Sequence, residues 1–181
     1  SLMGSSESKD DDRKQQKMQF INEKNINGSN PYFSFSSILK SNNATCKIEI
    51  NNSSGTGFFA TIPVINNNLR ICGLITNNHV LSMVKLLQGK TFSLIFDANN
   101  KKKEIKLDDK RFRFACPLID IAFIEFSPDE LDNEVEFLEV NEALSKANEF
   151  ALITQHPFGG DCTVAQGIIK EIWGFDINHM I

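Results

Sequence analysis

The chain has 181 residues, 41% of them hydrophobic, enough for one sizeable core or for two small barrel cores packed as lobes. Its 19 Lys and Arg against 23 Asp and Glu leave a net charge of −4 with the basic residues scattered, which argues against a nucleic-acid partner. No apolar run is long enough to span a membrane, and the four cysteines, Cys46, Cys72, Cys116 and Cys162, show no CxxC spacing, so buried free thiols are expected, with no metal site and no organic cofactor.

Residues 1–17 are polar and charged, with no signal-peptide apolar core, and the first few resemble an expression scar; the arm as a whole runs over residues 1–29. It is expected to be a disordered arm, tag or linker, and the protein to be intracellular and cytoplasmic. The aromatic-rich segment Asn30–Leu39 is expected to pack across a barrel as core or lid. From Thr45 onward, short β-branched and aromatic segments alternate with Asn, Gly and Ser punctuation, the pattern of an all-β barrel or sandwich. Thr45–Ile50 is a predicted strand, and Gly57–Val64 is its partner across Asn51–Gly55. Leu69–Thr76 follows the turn Asn66-Asn67-Asn68. Val80–Leu87 carries apolar residues at helical spacing and stops before Gly89, which predicts a short helix. Further strands are predicted at Thr91–Asp97, Lys103–Leu107, Arg111–Ala115 and Asp120–Phe126, with Lys101-Lys102-Lys103 as a solvated hairpin tip. Residues 30–128 then make a complete first β-barrel. Ser127-Pro128-Asp129-Glu130 reads as a turn or helix start crossing to residues 129–181. There, Phe137–Val140, Glu149–Thr154, Thr163–Ile172 and Phe175–Ile181 supply about half of a second barrel.

Two residues on these segments carry chemistry. His79 stands where the apolar strand Gly73–Thr76 gives way to the expected helix. Asp120 heads an apolar strand and is expected to be a buried acid. A histidine acting as general base needs one ring nitrogen toward the nucleophile and the other held by a carboxylate that stabilises the imidazolium. His79 and Asp120, which lie 41 residues apart in the chain, have the order and spacing for that pairing. Around them stand Gly55-Thr56-Gly57-Phe58-Phe59, a glycine-bracketed hairpin strand suited to close backbone approach, then His156-Pro157-Phe158-Gly159-Gly160, then Val164-Ala165-Gln166-Gly167-Ile168-Ile169.

These motifs, in this order, resemble the successive signatures of trypsin-like peptidases, in the style of the disulfide-free HtrA-like and V8-like branch. The likeness covers roughly residues 44–181. It implies a chymotrypsin-like double β-barrel with the first barrel complete and the second partial, and a Ser-His-Asp mechanism with His79 as base and Asp120 as orienting acid. In such enzymes the nucleophile lies in a Gly-x-Ser-Gly turn whose backbone N–H groups also build the oxyanion hole. No such turn follows Asp120, and roughly sixty residues remain after it, against about ninety between acid and nucleophile in the chymotrypsin arrangement.

The resemblance therefore implies a serine endopeptidase acting on peptide or protein substrates, with its serine supplied from beyond Ile181 or by another chain. The alternative is a catalytically dead pseudoprotease that binds a partner strand. Cys162 as a cysteine nucleophile is disfavoured because it precedes the Gln166-Gly167 strand, and it is expected to be a small buried residue. His156 is expected to be structural, and His179 is assigned no role.

Overall fold

The hydrophobic periodicity at residues 45–63 settles into an antiparallel hairpin that organises everything after it. In the computed structural model, residues 33–64, 69–87, 89–97, 101–108, 110–140 and 145–171 are described. Strand β1 (Thr45–Ile50) and strand β2 (Ser53–Pro63) pair across Asn51-Asn52, with Ile50 opposite Ser53 and Thr45 opposite Phe58. Asn51 takes a positive φ of 52°, a left-handed conformation that asparagine tolerates. Strand β3 (Arg70–Thr76) returns along β2 with Phe59 opposite Leu74. Strand β7 (Ile121–Glu125) then lies antiparallel beyond β3, with Thr76 opposite Ala122. That last register sets the end of β3 beside the start of β7.

On the other flank, β4 (Thr91–Phe96) pairs with β1 and β5 (Lys101–Lys106) pairs with β4, while β6 (Arg113–Cys116) pairs with β7. The sheet runs β5-β4-β1-β2-β3-β7-β6, and the short β8 (Leu138–Glu139) joins β2 in parallel. Strands β9 (Phe150–Gln155) and β10 (Thr163–Ile168) form a separate two-stranded antiparallel sheet. Among the described residues no ladder joins β5 to β6, so hydrogen bonding does not close the complete first barrel that was expected. Between those strands the chain folds onto Asp108, whose Oδ1 accepts from the backbone N–H groups of Lys110 and Arg111.

The core is contiguous. Ile48, Phe59, Leu74, Leu94 and Ile124 are fully buried. The Phe59 ring stacks on Phe96 at 6.0 Å and meets Phe126 and Phe137 edge-on at 5.4 Å each. Gly55 and Gly57 are close-approach positions, as their spacing implied: a Cβ on Gly55 would strike Val80, and one on Gly57 would come within 2.9 Å of Leu74. Gly73 is tighter still, since a Cβ there would collide with the carbonyl oxygen of Ile124 on the paired strand and with the Phe123 ring. Backbone cannot move aside as a side-chain tip can, so Gly73→Ala is expected to destabilise by about 1–3 kcal/mol through overpacking. Urea unfolding of the two proteins checks this.

Three local readings are corrected. Residues 35–44 form a helix, α1 (Phe35–Ala44), started by Ser34, whose hydroxyl accepts from the Ser37 N–H. The helix lies on β1, β2 and β9, but Phe35 and Leu39 remain exposed, so the described part of the segment, from residue 33, is not the aromatic core expected. The helix predicted at Val80–Leu87 is instead a pair of turns, marked by Leu81 N–H to Asn77 C=O and Leu86 N–H to Ser82 C=O. The residues that must be buried there are Val80, Leu81 and Leu86. At about 100° per residue these would point all round a helix, and turns bring them to one side. Finally, Lys101, Lys102 and Lys103 are strand residues of β5 and not a free tip: Lys101 pairs with Asp132 at 3.0 Å, Lys102 pairs with Glu49 at 3.1 Å, and Lys103 donates to the Glu130 carbonyl.

All four cysteines are free, and only Cys46 is fully buried. Among the described residues no helix is long and apolar enough to cross a membrane. The arm at residues 1–29, the strand expected at Phe175–Ile181 and His179 lie outside the described residues.

Candidate active site

The β3–β7 register delivers His79 and Asp120 to the same end of the sheet. Asn77, His79 and Val80 lie in the turn that leaves β3, and Asp120 ends the turn Pro117–Asp120 that enters β7. Asp120 adopts φ 51°, and aspartate is among the few residues that accept this left-handed geometry without glycine. The conformation lets one carboxylate hold the whole opposing turn. Its Oδ1 accepts the His79 backbone N–H at 2.9 Å, and its Oδ2 lies 2.7 Å from His79 Nδ1. Asn77 Nδ2 donates to the Asp120 carbonyl at 3.1 Å and to Oδ2 at 3.2 Å.

The imidazole orientation is thus fixed from two sides. With Nδ1 donating to the carboxylate, the lone pair falls on Nε2, the tautomer a general base requires. The pair stands in solvent, with side-chain exposures of 71% for His79 and 44% for Asp120. The sequence reading of Asp120 as a buried acid is therefore wrong: the residue sits in the turn ahead of the apolar strand and not within it. At this exposure the contact adds little to stability, and its value is positional.

The His79 backbone N–H, then the His79 ring, hold the Asp120 carboxyl below the usual carboxylate range, with Asn77 adding to them. A carboxyl whose folded value is lowered contributes stability above its unfolded value and loses it as pH falls through the folded one. The pair should therefore stay assembled at neutral pH and come apart only in acid, below the ordinary carboxylate midpoint. Carbon-detected NMR titration of the Asp120 carboxyl checks this, and a midpoint at or above the ordinary value would refute it.

His79 opens onto a cleft of about 650 Å³ walled by Gly55, Thr56 and Ile121 from the large sheet and by Gln155, His156 and Phe158 from the β9–β10 side. Phe158 is fully exposed and holds a positive φ of 53°, an uncommon conformation for an aromatic residue. His156 is buried, with its backbone N–H donating to Thr56 Oγ1 at 2.8 Å and Nδ1 lying 3.0 Å from the Gly160 carbonyl. Cys162 lies near Asp97 and His156, and burial, then the Asp97 charge, pushes its thiol pKa up. A protonated thiol in that setting is the opposite of an activated nucleophile.

No family model matches the chain, and no curated protein matches it. Among solved structures, it is similar to the crystal structure of Rv3671c from M. tuberculosis H37Rv, a serine-to-alanine mutant in its inactive form. The match has 17% identity and a TM-score of 0.50, over 77% of this chain. The chain spans 58% of the length of that structure. The fold is all-β and chymotrypsin-like.

Proposed function

We propose that this chain carries the base and the orienting acid of a trypsin-like serine endopeptidase, His79 and Asp120, and that the serine is supplied from beyond Ile181 or by another chain. The observation that supports this most is the two-point grip of Asp120 on His79, through Nδ1 and through the backbone N–H, at the mouth of a cleft in a chymotrypsin-like fold. A hydrogen bond to Nδ1 alone would leave the ring free to swing; the second bond fixes the backbone that carries it.

In the reaction, the serine Oγ attacks the scissile carbonyl of a peptide held in the cleft while Nε2 of His79 takes its proton. Asp120 stabilises the imidazolium so formed, and His79 then returns the proton to the leaving amine. Water attacks the acyl-enzyme by the same route, and the serine is regenerated. The chain's own contribution is a base in the correct tautomer at no cost of reorientation.

The test is turnover of a mixed peptide pool by the protein together with its serine-bearing segment. Cleavage that a fluorophosphonate abolishes supports the reading. Binding of peptides without cleavage, by the intact protein, would replace it with the pseudoprotease alternative.

A further inference from the structure

Apart from the His79–Asp120 pair, three side chains able to bind a metal converge from distant parts of the chain. Asp97 follows β4, His156 follows β9 and Cys162 precedes β10. A carboxylate oxygen, an imidazole nitrogen and the thiol sulfur lie within 4.8 Å of one another. Asp97 Oδ2 accepts the Cys162 backbone N–H at 2.6 Å and lies 3.8 Å from His156 Nδ1. The Gly160 carbonyl oxygen lies 3.0 Å from that same nitrogen. His156 itself is only 3% exposed, and its Nε2 has no hydrogen-bond partner.

We propose that Asp97, His156 and Cys162 form a binding site for a borderline divalent transition metal of the zinc class, with the Gly160 carbonyl as fourth donor. The donor chemistry selects the class: a thiolate and an imidazole suit zinc, whereas calcium and magnesium demand oxygen ligands throughout. The spacing also fits. A tetrahedron with bonds of about 2.0–2.1 Å has edges of about 3.3–3.4 Å, and the 3.0 Å and 3.8 Å separations at Nδ1 bracket that value. The thiol sulfur starts within 4.8 Å of the other two side-chain donors and has to close in for bonding.

The charges balance as well. The Cys162 thiol gives its proton to solvent, and with the Asp97 carboxylate the two negative charges neutralise the dication, so the half-buried site holds no net charge. The imidazole binds neutral through Nδ1 with its hydrogen on Nε2, and the metal replaces the Nδ1 contact to Gly160. Such a bound ion would staple the end of β4 in the large sheet to the β9–β10 connection, whose Pro157–Gly159 turn walls the cleft. The site is independent of the peptidase proposal and would hold in a catalytically dead protein too.

The probe is cobalt(II) added alone to the folded 181-residue chain. We expect one equivalent to bind with a thiolate-to-cobalt charge-transfer band and visible bands of tetrahedral strength. Zinc should displace it and raise the thermal midpoint. Cys162→Ser should lose the charge-transfer band. Asp97→Asn, an exposed change that keeps an acceptor for the Cys162 N–H, should weaken cobalt binding by roughly tenfold or more without unfolding the chain. Absence of the band in the folded wild-type chain would overturn the proposal, as would a band unchanged in Cys162→Ser.

Discussion

Replacing His79 with alanine in the protein bearing its serine is expected to lower kcat on a peptide substrate by about 10⁴- to 10⁶-fold. The magnitude follows from what the residue is asked to do. Without a base, the serine hydroxyl attacks as a neutral alcohol and the leaving amine departs unprotonated, while substrate binding in the cleft is left in place. The loss should therefore fall on kcat, with KM little changed. Asp120→Asn should cost about 10⁴-fold by favouring the wrong tautomer of His79. The double substitution should cost little more than His79→Ala alone, because the two residues act as one unit. Because His79 is largely exposed and its ring supports no core packing, the variant should melt close to the parent. A large loss of stability in His79→Ala would mean that the residue is structural.

The second large effect concerns the core. Phe59 is fully buried at the centre of β2, opposite Leu74, and its ring touches Phe96, Phe126 and Phe137. Phe59→Ala removes all three ring contacts and leaves a cavity between strands of opposite flanks, at a cost of about 3–5 kcal/mol. For a domain of this size that corresponds to a fall in Tm of roughly 6–20 °C. Denaturant unfolding at unchanged m-value measures it, and a loss below about 1 kcal/mol would show that this face of the sheet repacks freely.

Most of the strands were legible because their signals are local. Thr45–Ile50 alternates buried and half-buried side chains just as its sequence alternates, and asparagine and glycine mark the turns between neighbours. The order of His79 and Asp120 was legible too, because each sits at the end of an apolar segment. Their exposure was not, since it depends on where the Pro117–Asp120 turn ends and the ladder begins. Residues 80–87 misled because apolar spacing over one or two turns fits helix and irregular plug alike; which faces must be buried is decided by β2 and β3 across the core. Helix α1 was hidden by aromatic residues that propensity assigns to packing, while the Ser34 cap that starts it was there to be read.

The Asp97, His156 and Cys162 cluster had no sequence signature at all. Its three residues are separated by 59 and 6 positions, the difference between 156 and 97 and between 162 and 156, and the contact of the β4 end with the β9–β10 connection unites them. The absence of CxxC spacing speaks to local chelates and is silent on a site assembled by tertiary structure.

In the proposed reaction His79 and Asp120 together activate a serine. Intact-mass analysis of the protein with its serine-bearing segment, after treatment with a fluorophosphonate, tests it most directly. One added label is expected, on a serine outside residues 1–181, with labelling lost in His79→Ala and sharply slowed in Asp120→Asn. A protein that takes no label, or one labelled equally fast without His79, would contradict it.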